Sequence, residues 1–148
     1  MAEISKSVEV LYSADEMYTL VNDIESYPSF LPWCNDTRVF RQSDRKLSAT
    51  LELAIGRIRQ SFSTENTMEP GRLISMRLIK GPFKQLAGTW KFDQIDNNKC
   101  RVELHMHFEF KNRILKLSLE GIFNRIMDTL VESFVNRAIQ VYGQRQED

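Results

Sequence analysis

Hydrophobic positions along the chain repeat with a period of two over most of its length and with a period near four at its two helical segments. The opening ISKSVEVLY places Ile4, Val8, Val10 and Tyr12 in one phase and predicts a strand. Ser13, with Glu16 three residues on, then forms a capping-box signature, and a short helix from Ala14 to about Asp23 sets Met17, Leu20, Val21 and Ile24 along one side. From Asn35 onward the alternation returns. Leu47, Ala49, Leu51, Leu53 and Ile55 oppose Ser48, Thr50 and Glu52, and beyond Gly56 the pair Ile58 and Phe62 opposes Arg59, Ser61 and Ser63. After the turn EPGR, Ile74, Met76 and Leu78 alternate with Ser75 and Arg77; after KGPF, Leu86, Gly88, Trp90 and Phe92 oppose Thr89, Lys91 and Asp93. DNNK closes a hairpin into a last strand with Cys100, Val102, Leu104, Met106, Phe108 and Phe110 on one face and Arg101, Glu103, His105, His107 and Glu109 on the other. Finally Leu119, Ile122, Phe123, Ile126, Leu130, Phe134, Ala138 and Val141 recur at helical spacing, predicting one long amphipathic helix that ends near Gly143.

Strands that follow one another through short turns predict an antiparallel meander with one dry face. A single helix has to cover that face, so the sheet must curve around it. The expected fold is α+β: one domain spanning residues 1–148, a curved antiparallel sheet gripping a C-terminal helix, with the short helix after the first strand. One stretch fits no period. YPSFLPWC, Tyr27 to Cys34, combines two prolines with large aromatics and no charge. Prolines stiffen an irregular segment and lower its unfolded entropy, which predicts a rim or plug for the open end of the sheet.

Composition adds little to this picture. With 148 residues, 42% hydrophobic and 27% charged, the chain is an ordinary globular domain, and its apolar runs are too short to cross a bilayer. Cys34 and Cys100 stand in no metal or redox spacing, and with no signal peptide at the start they point to the cytoplasm. Charge changes the picture more. The net charge of zero divides into −4 over residues 1–56, +5 over 57–101 and −1 over 102–148. The outward phase of the middle third carries Arg59, Arg77, Lys91 and Arg101, which could form a basic belt across adjacent strands and meet an anionic partner.

Candidate chemistry is sparse. His105 and His107 share a polar strand face, and no further His or Cys completes a zinc site. Cys34 has no neighbouring base to activate it. The sequence therefore predicts no catalytic residues, no metal and no required cofactor. The inward aromatics predict an apolar cavity instead, with Tyr27, Phe30, Leu31 and Trp33 at its entrance and Phe62, Trp90 and Phe108 on its far wall. The face of Leu86, Gly88, Trp90 and Phe92 either packs against the last helix or walls the cavity with Gly88 leaving room for a ligand, and Tyr27, Gln60 or Thr64 could supply polar contacts.

YPSFLPWC, then IKGPFKQLAGTWKF, then FEFKNRILKLSLEGIF and FVNRAIQVYG, in that order, resemble the START-like polyketide cyclase and dehydrase superfamily. More narrowly they resemble its branch of coenzyme Q-binding proteins and bacterial ribosome-association toxins. The resemblance covers nearly the whole chain and implies the helix-grip fold. The lack of an organelle-targeting extension implies the bacterial, ribosome-associating side of that branch. Two non-enzymatic activities follow from the resemblance. One is binding of the large ribosomal subunit, which blocks subunit association and translation initiation, with Arg59, Arg77, Lys91 and Arg101 as candidate RNA contacts and an antitoxin as a further possible partner. The other is binding of ubiquinone or a similar isoprenoid lipid in the cavity, in support of respiration. Nothing in the sequence points to DNA. A cyclase-type enzyme is disfavoured for want of a catalytic constellation.

Overall fold

The computed structural model describes residues 2–146. Strand β1 (Ala2–Val10) leads into helix α1 (Ala14–Asn22) and a 3-10 helix (Ile24–Ser29). Six strands follow: β2 (Cys34–Ser43), β3 (Lys46–Ile55), β4 (Ile58–Glu69), β5 (Leu73–Lys80), β6 (Phe83–Asp96) and β7 (Lys99–Phe110). Helix α2 (Arg113–Tyr142) ends the fold. The sheet order is β1-β7-β6-β5-β4-β3-β2, and every neighbouring pair is antiparallel. Strands β2 to β7 are the expected meander. β1 pairs instead with β7, with Val10 opposite Cys100 and Ala2 opposite Phe108. The helices between β1 and β2 carry the chain across the concave side, so the first strand closes the far edge.

Register breaks lie at both ends of the β2–β3 pair, at Ser63/Thr64 between β4 and β5, and at both ends of the β6–β7 pair. Such bulges bend strands and increase their twist, which curves the sheet around α2. The inward positions of β3 and β7 are buried in strict alternation. From α2, Leu119, Phe123, Ile126, Met127, Leu130, Val131, Phe134 and Ala138 enter the same core. Val141, assigned to this stripe from its spacing, is 48% exposed. Tyr142, four residues after Ala138, takes the inward direction, with its ring 5.9 Å from that of Tyr12 and its hydroxyl donating to the Glu16 carbonyl at 3.0 Å.

The capping box is complete: Glu16 N donates to Ser13 Oγ at 3.0 Å and Ser13 N to Glu16 Oε1 at 2.9 Å. The same carboxylate holds Arg145, with Nη1 at 2.7 Å from Oε1 and Nη2 at 2.8 Å from Oε2. Arg145 also lies over the Tyr12 ring at 4.7 Å, so the segment after α2 is latched to the start of α1. Chiefly through the Arg145 hydrogen bonds, the Glu16 carboxyl is lowered from 4.5 to about 2. A carboxyl that ionises more readily in the folded state stabilises fully above its unfolded value and loses that contribution as pH falls toward its folded value. Glu16→Gln is thus expected to cost about 1 kcal/mol at neutral pH, the range for a part-exposed ion pair combined with a cap. The gap between variant and parent should close between about pH 4.5 and about 2, as read by denaturant unfolding across pH.

Candidate ligand cavity and charged surfaces

The proline-rich stretch folds back on itself before it reaches the sheet. Tyr27 lies in the 3-10 helix, with Pro28 in the following position, and its carbonyl accepts from Phe30 N at 3.2 Å and Leu31 N at 2.9 Å. Cys34 N then donates to the Leu31 carbonyl at 3.0 Å, and the Trp33 carbonyl receives Ala54 N at 2.9 Å. The backbone is satisfied by these local turns and by β3, so the two prolines sacrifice no needed donor. Pro28 and Pro32 face solvent, while Tyr27 and Leu31 are buried.

Beneath this plug lies an apolar cavity of about 70 Å³. Four of the seven expected residues line it: Tyr27, Trp33, Phe62 and Trp90. The other three do not. Leu31 packs wholly within the core. Phe30 is half-buried on the outer side of the plug, its ring edge-on to Phe134 at 5.4 Å and covered by the Arg137 guanidinium at 4.8 Å. Phe108 points inward but sits one cluster further along β7, 4.7 Å from Phe123 and 5.8 Å from Phe110. In their places are Met76, Met106, Met127, Leu130 and Phe134.

Polar contacts in the cavity differ from those expected. The Tyr27 hydroxyl is already spent on the Val21 carbonyl, and burial pushes its ionisation upward. Gln60 lines a separate, smaller cleft near Pro82. Thr64 does line the cavity, and its hydroxyl donates to Asn66 Oδ1 at 2.8 Å. Asn66 is 3% exposed and lines the cavity too, its Oδ1 accepting that hydroxyl. Its side-chain amide carries two N–H donors, the type of group that binds a carbonyl oxygen. Its signal was available in the sequence: position 66 shares the inward phase of Phe62, Thr64 and Met68.

Gly88 is not a space for a ligand. A Cβ built there would collide with the Sδ of Met106, directly opposite on β7, and would stand 2.5 Å from the His105 carbonyl oxygen. Met106 already fills the gap.

Burial raises both thiols, Cys34 and Cys100, to about 11, so both are protonated and unreactive at neutral pH. His105 is exposed on the outer face, its Nδ1 2.7 Å from Ser5 Oγ. No group of three or more potential metal ligands occurs among the described residues.

Arg59, Arg77, Lys91 and Arg101 all lie on the outer face, but in a staggered arrangement and not as a belt. Arg77 faces Glu65 on β4, and Arg59 is six residues further along that strand, about 20 Å at the rise of an extended chain. Arg77 faces Ala87 on β6, four residues from Lys91. Three of the four are also paired: Arg59 with Glu52 at 3.1 Å, Arg77 with Glu65 at 2.7 Å and Arg101 with Glu9 at 3.1 Å. Lys91 forms no ion pair among the described residues, although Glu103 faces it across the β6–β7 pair. Single-strand phase showed which side these residues face. It could not show that the register brings a carboxylate to each arginine.

Known proteins share both the sequence and the fold. The ribosome association toxin RatA of Vibrio cholerae serotype O1 is 40% identical over 144 residues, which span 97% of this chain and 100% of that protein. The mitochondrial coenzyme Q-binding protein COQ10 of Dictyostelium discoideum is 27% identical over 139 residues, 91% of this chain and 68% of its own. Among solved structures, the Zhui aromatase/cyclase from Streptomyces sp. R1128 superposes with a TM-score of 0.82 at 14% identity, covering 97% of this chain and 99% of its own. A family model described as polyketide cyclase / dehydrase and lipid transport matches residues 10–135. This START-like helix-grip chain belongs to the polyketide cyclase/dehydrase and lipid transport family.

Proposed function

We propose that the chain is a non-enzymatic, cytoplasmic binding protein that associates with the large ribosomal subunit and blocks subunit joining. The observation that carries this reading is the full-length match, at 36–40% identity, to proteins named ribosome association toxin RatA. The interior supports it. Ligand pockets usually enclose roughly 300–1,000 Å³, and a cavity of about 70 Å³ holds no preformed place for a quinone ring. The thiols are protonated, and both histidines lie on the outer phase of β7, outside the cavity lining. On this reading the outer-face residues Arg59, Arg77, Lys91 and Arg101 contact ribosomal RNA. Lys91 can meet a phosphate directly, and the three arginines exchange a carboxylate for one.

A second reading rests on the cavity wall. Met76, Met106 and Met127 are flexible side chains that can repack, and the Asn66 amide lies on the same wall. Together with the relatives named coenzyme Q-binding, this supports a cavity that opens for a quinone headgroup. One experiment separates the two. The protein is sedimented with large ribosomal subunits at rising salt, and its tryptophan emission is followed as a short-chain ubiquinone is added. The expected result is co-sedimentation that weakens steeply with salt and falls when the four outer cations are replaced by serine. No co-sedimentation at low salt, together with quenching of Trp33 and Trp90, would replace the first reading with the second.

A further inference from the structure

Four of the seven exposed large aliphatic side chains among the described residues lie at one end of the molecule, the two most exposed of them included. Lys111 N donates to the Pro82 carbonyl at 2.9 Å, which ties the start of α2 to the β5–β6 turn. The β3–β4 hairpin projects beyond that turn, because Ser63 faces Lys80 and β4 continues past it to Ile58. Ile55, Ile79, Ile114 and Leu117 are exposed at this end. Ile114 and Leu117 are 76% and 77% exposed and, three residues apart, share one face of the first turns of α2.

Positive charge surrounds them. Lys80, Lys84, Lys111, Arg113 and Lys116 are all exposed here, with Arg57 at the hairpin tip. Glu109 and Glu120 are the neighbouring acids, and Lys116 reaches Glu120 at 4.0 Å. Lys84, Lys111 and Arg113 form no ion pair among the described residues. Helix stability does not call for these cations. A helix N-terminus favours anions, yet the first turn of α2 has no acidic residue, and Asn112 caps it by accepting from Leu115 N at 2.9 Å.

Exposed aliphatics ringed by Lys and Arg match an anionic bilayer, whose acyl boundary takes the aliphatics while its headgroups take the cations. RNA would satisfy the cations but leave the aliphatics in water, and stacking on bases calls for aromatic side chains. A cleft lined by Leu53, Pro82, Leu119 and Ile122 shares Phe62 and Phe123 with the cavity.

We propose that this end docks on an anionic lipid bilayer, with Ile114 and Leu117 inserted and the cleft held over the lipid. The proposal is independent of ribosome binding. It is tested by sedimentation with vesicles of phosphatidylglycerol mixed with phosphatidylcholine and with vesicles of phosphatidylcholine alone. The parent should bind the mixed vesicles at least about tenfold more tightly than the neutral ones. The double variant Ile114→Ser, Leu117→Ser should keep the parent's melting temperature, because both side chains already face water, and should lose at least about tenfold in vesicle affinity. The triple variant Lys84→Gln, Lys111→Gln, Arg113→Gln should lose a similar factor and most of the salt dependence. Failure of the parent to bind mixed vesicles would overturn the proposal. So would unchanged vesicle binding by the double variant, and if that variant also lost large-subunit binding, the face would be a ribosome contact.

Discussion

Phe134→Ala should remove about 3–5 kcal/mol of folding stability, a large share of what a domain of this size possesses. Phe134 is 1% exposed and stands where the helix, the plug and the sheet meet. Its ring makes edge contacts with Tyr27, Phe30 and Trp90, each at 5.4 Å. Truncation loses the transfer free energy of the ring and leaves three aromatic edges without a partner. The site cannot collapse easily, because the 3-10 helix is fixed by its own backbone hydrogen bonds and Trp90 is held in a central strand. Phe134 also borders the cavity, so the new void joins the existing one, and cost rises with the volume left empty. Denaturant unfolding checks this. A midpoint within experimental error of the parent's would mean that α2 does not pack against Trp90 and the plug as described.

The same residues show where sequence reading succeeds and where it stops. Phe134 was assigned to the core from helical spacing alone, as were Leu119, Phe123 and Ala138, because a three-to-four repeat sustained from Leu119 to Ala138 marks one face of a helix. Strands β3 to β7 were equally legible, since alternation marks both the strand and its inward face, whereas β2 is buried at Cys34 alone and carries no such signal. Pairings between distant segments leave no such trace. Nothing local in ISKSVEV says that it joins β7 and not β2. The outer arginines were correctly assigned to their face, but whether Glu65 or open water lies beside Arg77 depends on register. The cavity was anticipated in kind and misjudged in its walls. Phe30 and Phe108 are as apolar as Trp33 and Phe62, and only the turn at Tyr27 and the curvature of β7 decide which of them face the void. In YPSFLPWC the irregularity was legible, whereas the reuse of the Tyr27 carbonyl by two following amides was not.

Gly88→Ala should destabilise the protein by at least about 1–3 kcal/mol, the usual cost of overpacking a filled core, with no ligand present. From the sequence, an inward strand glycine beside Trp90 looks like space reserved for a guest. In the structure that space belongs to Met106, whose Sδ lies where the new methyl would go, and to the His105 carbonyl oxygen, 2.5 Å from the methyl position. The two obstacles behave differently. Methionine is unbranched and can swing away. The carbonyl belongs to β7, which is paired on both sides, with β1 and with β6, and it can move only if the sheet does. Adding Met106→Ala to Gly88→Ala should therefore recover only part of the loss, because it relieves the sulfur contact and leaves the backbone contact in place. Thermal unfolding of both variants reads this out. If Gly88→Ala melted with the parent and only quinone quenching were lost, Gly88 would be ligand space after all and the cavity would open on the β6–β7 side. If Gly88→Ala is destabilised and the double variant is only partly rescued, that side of the cavity is closed by backbone. Any enlargement for a guest then has to come from Met76, Met127 and the plug.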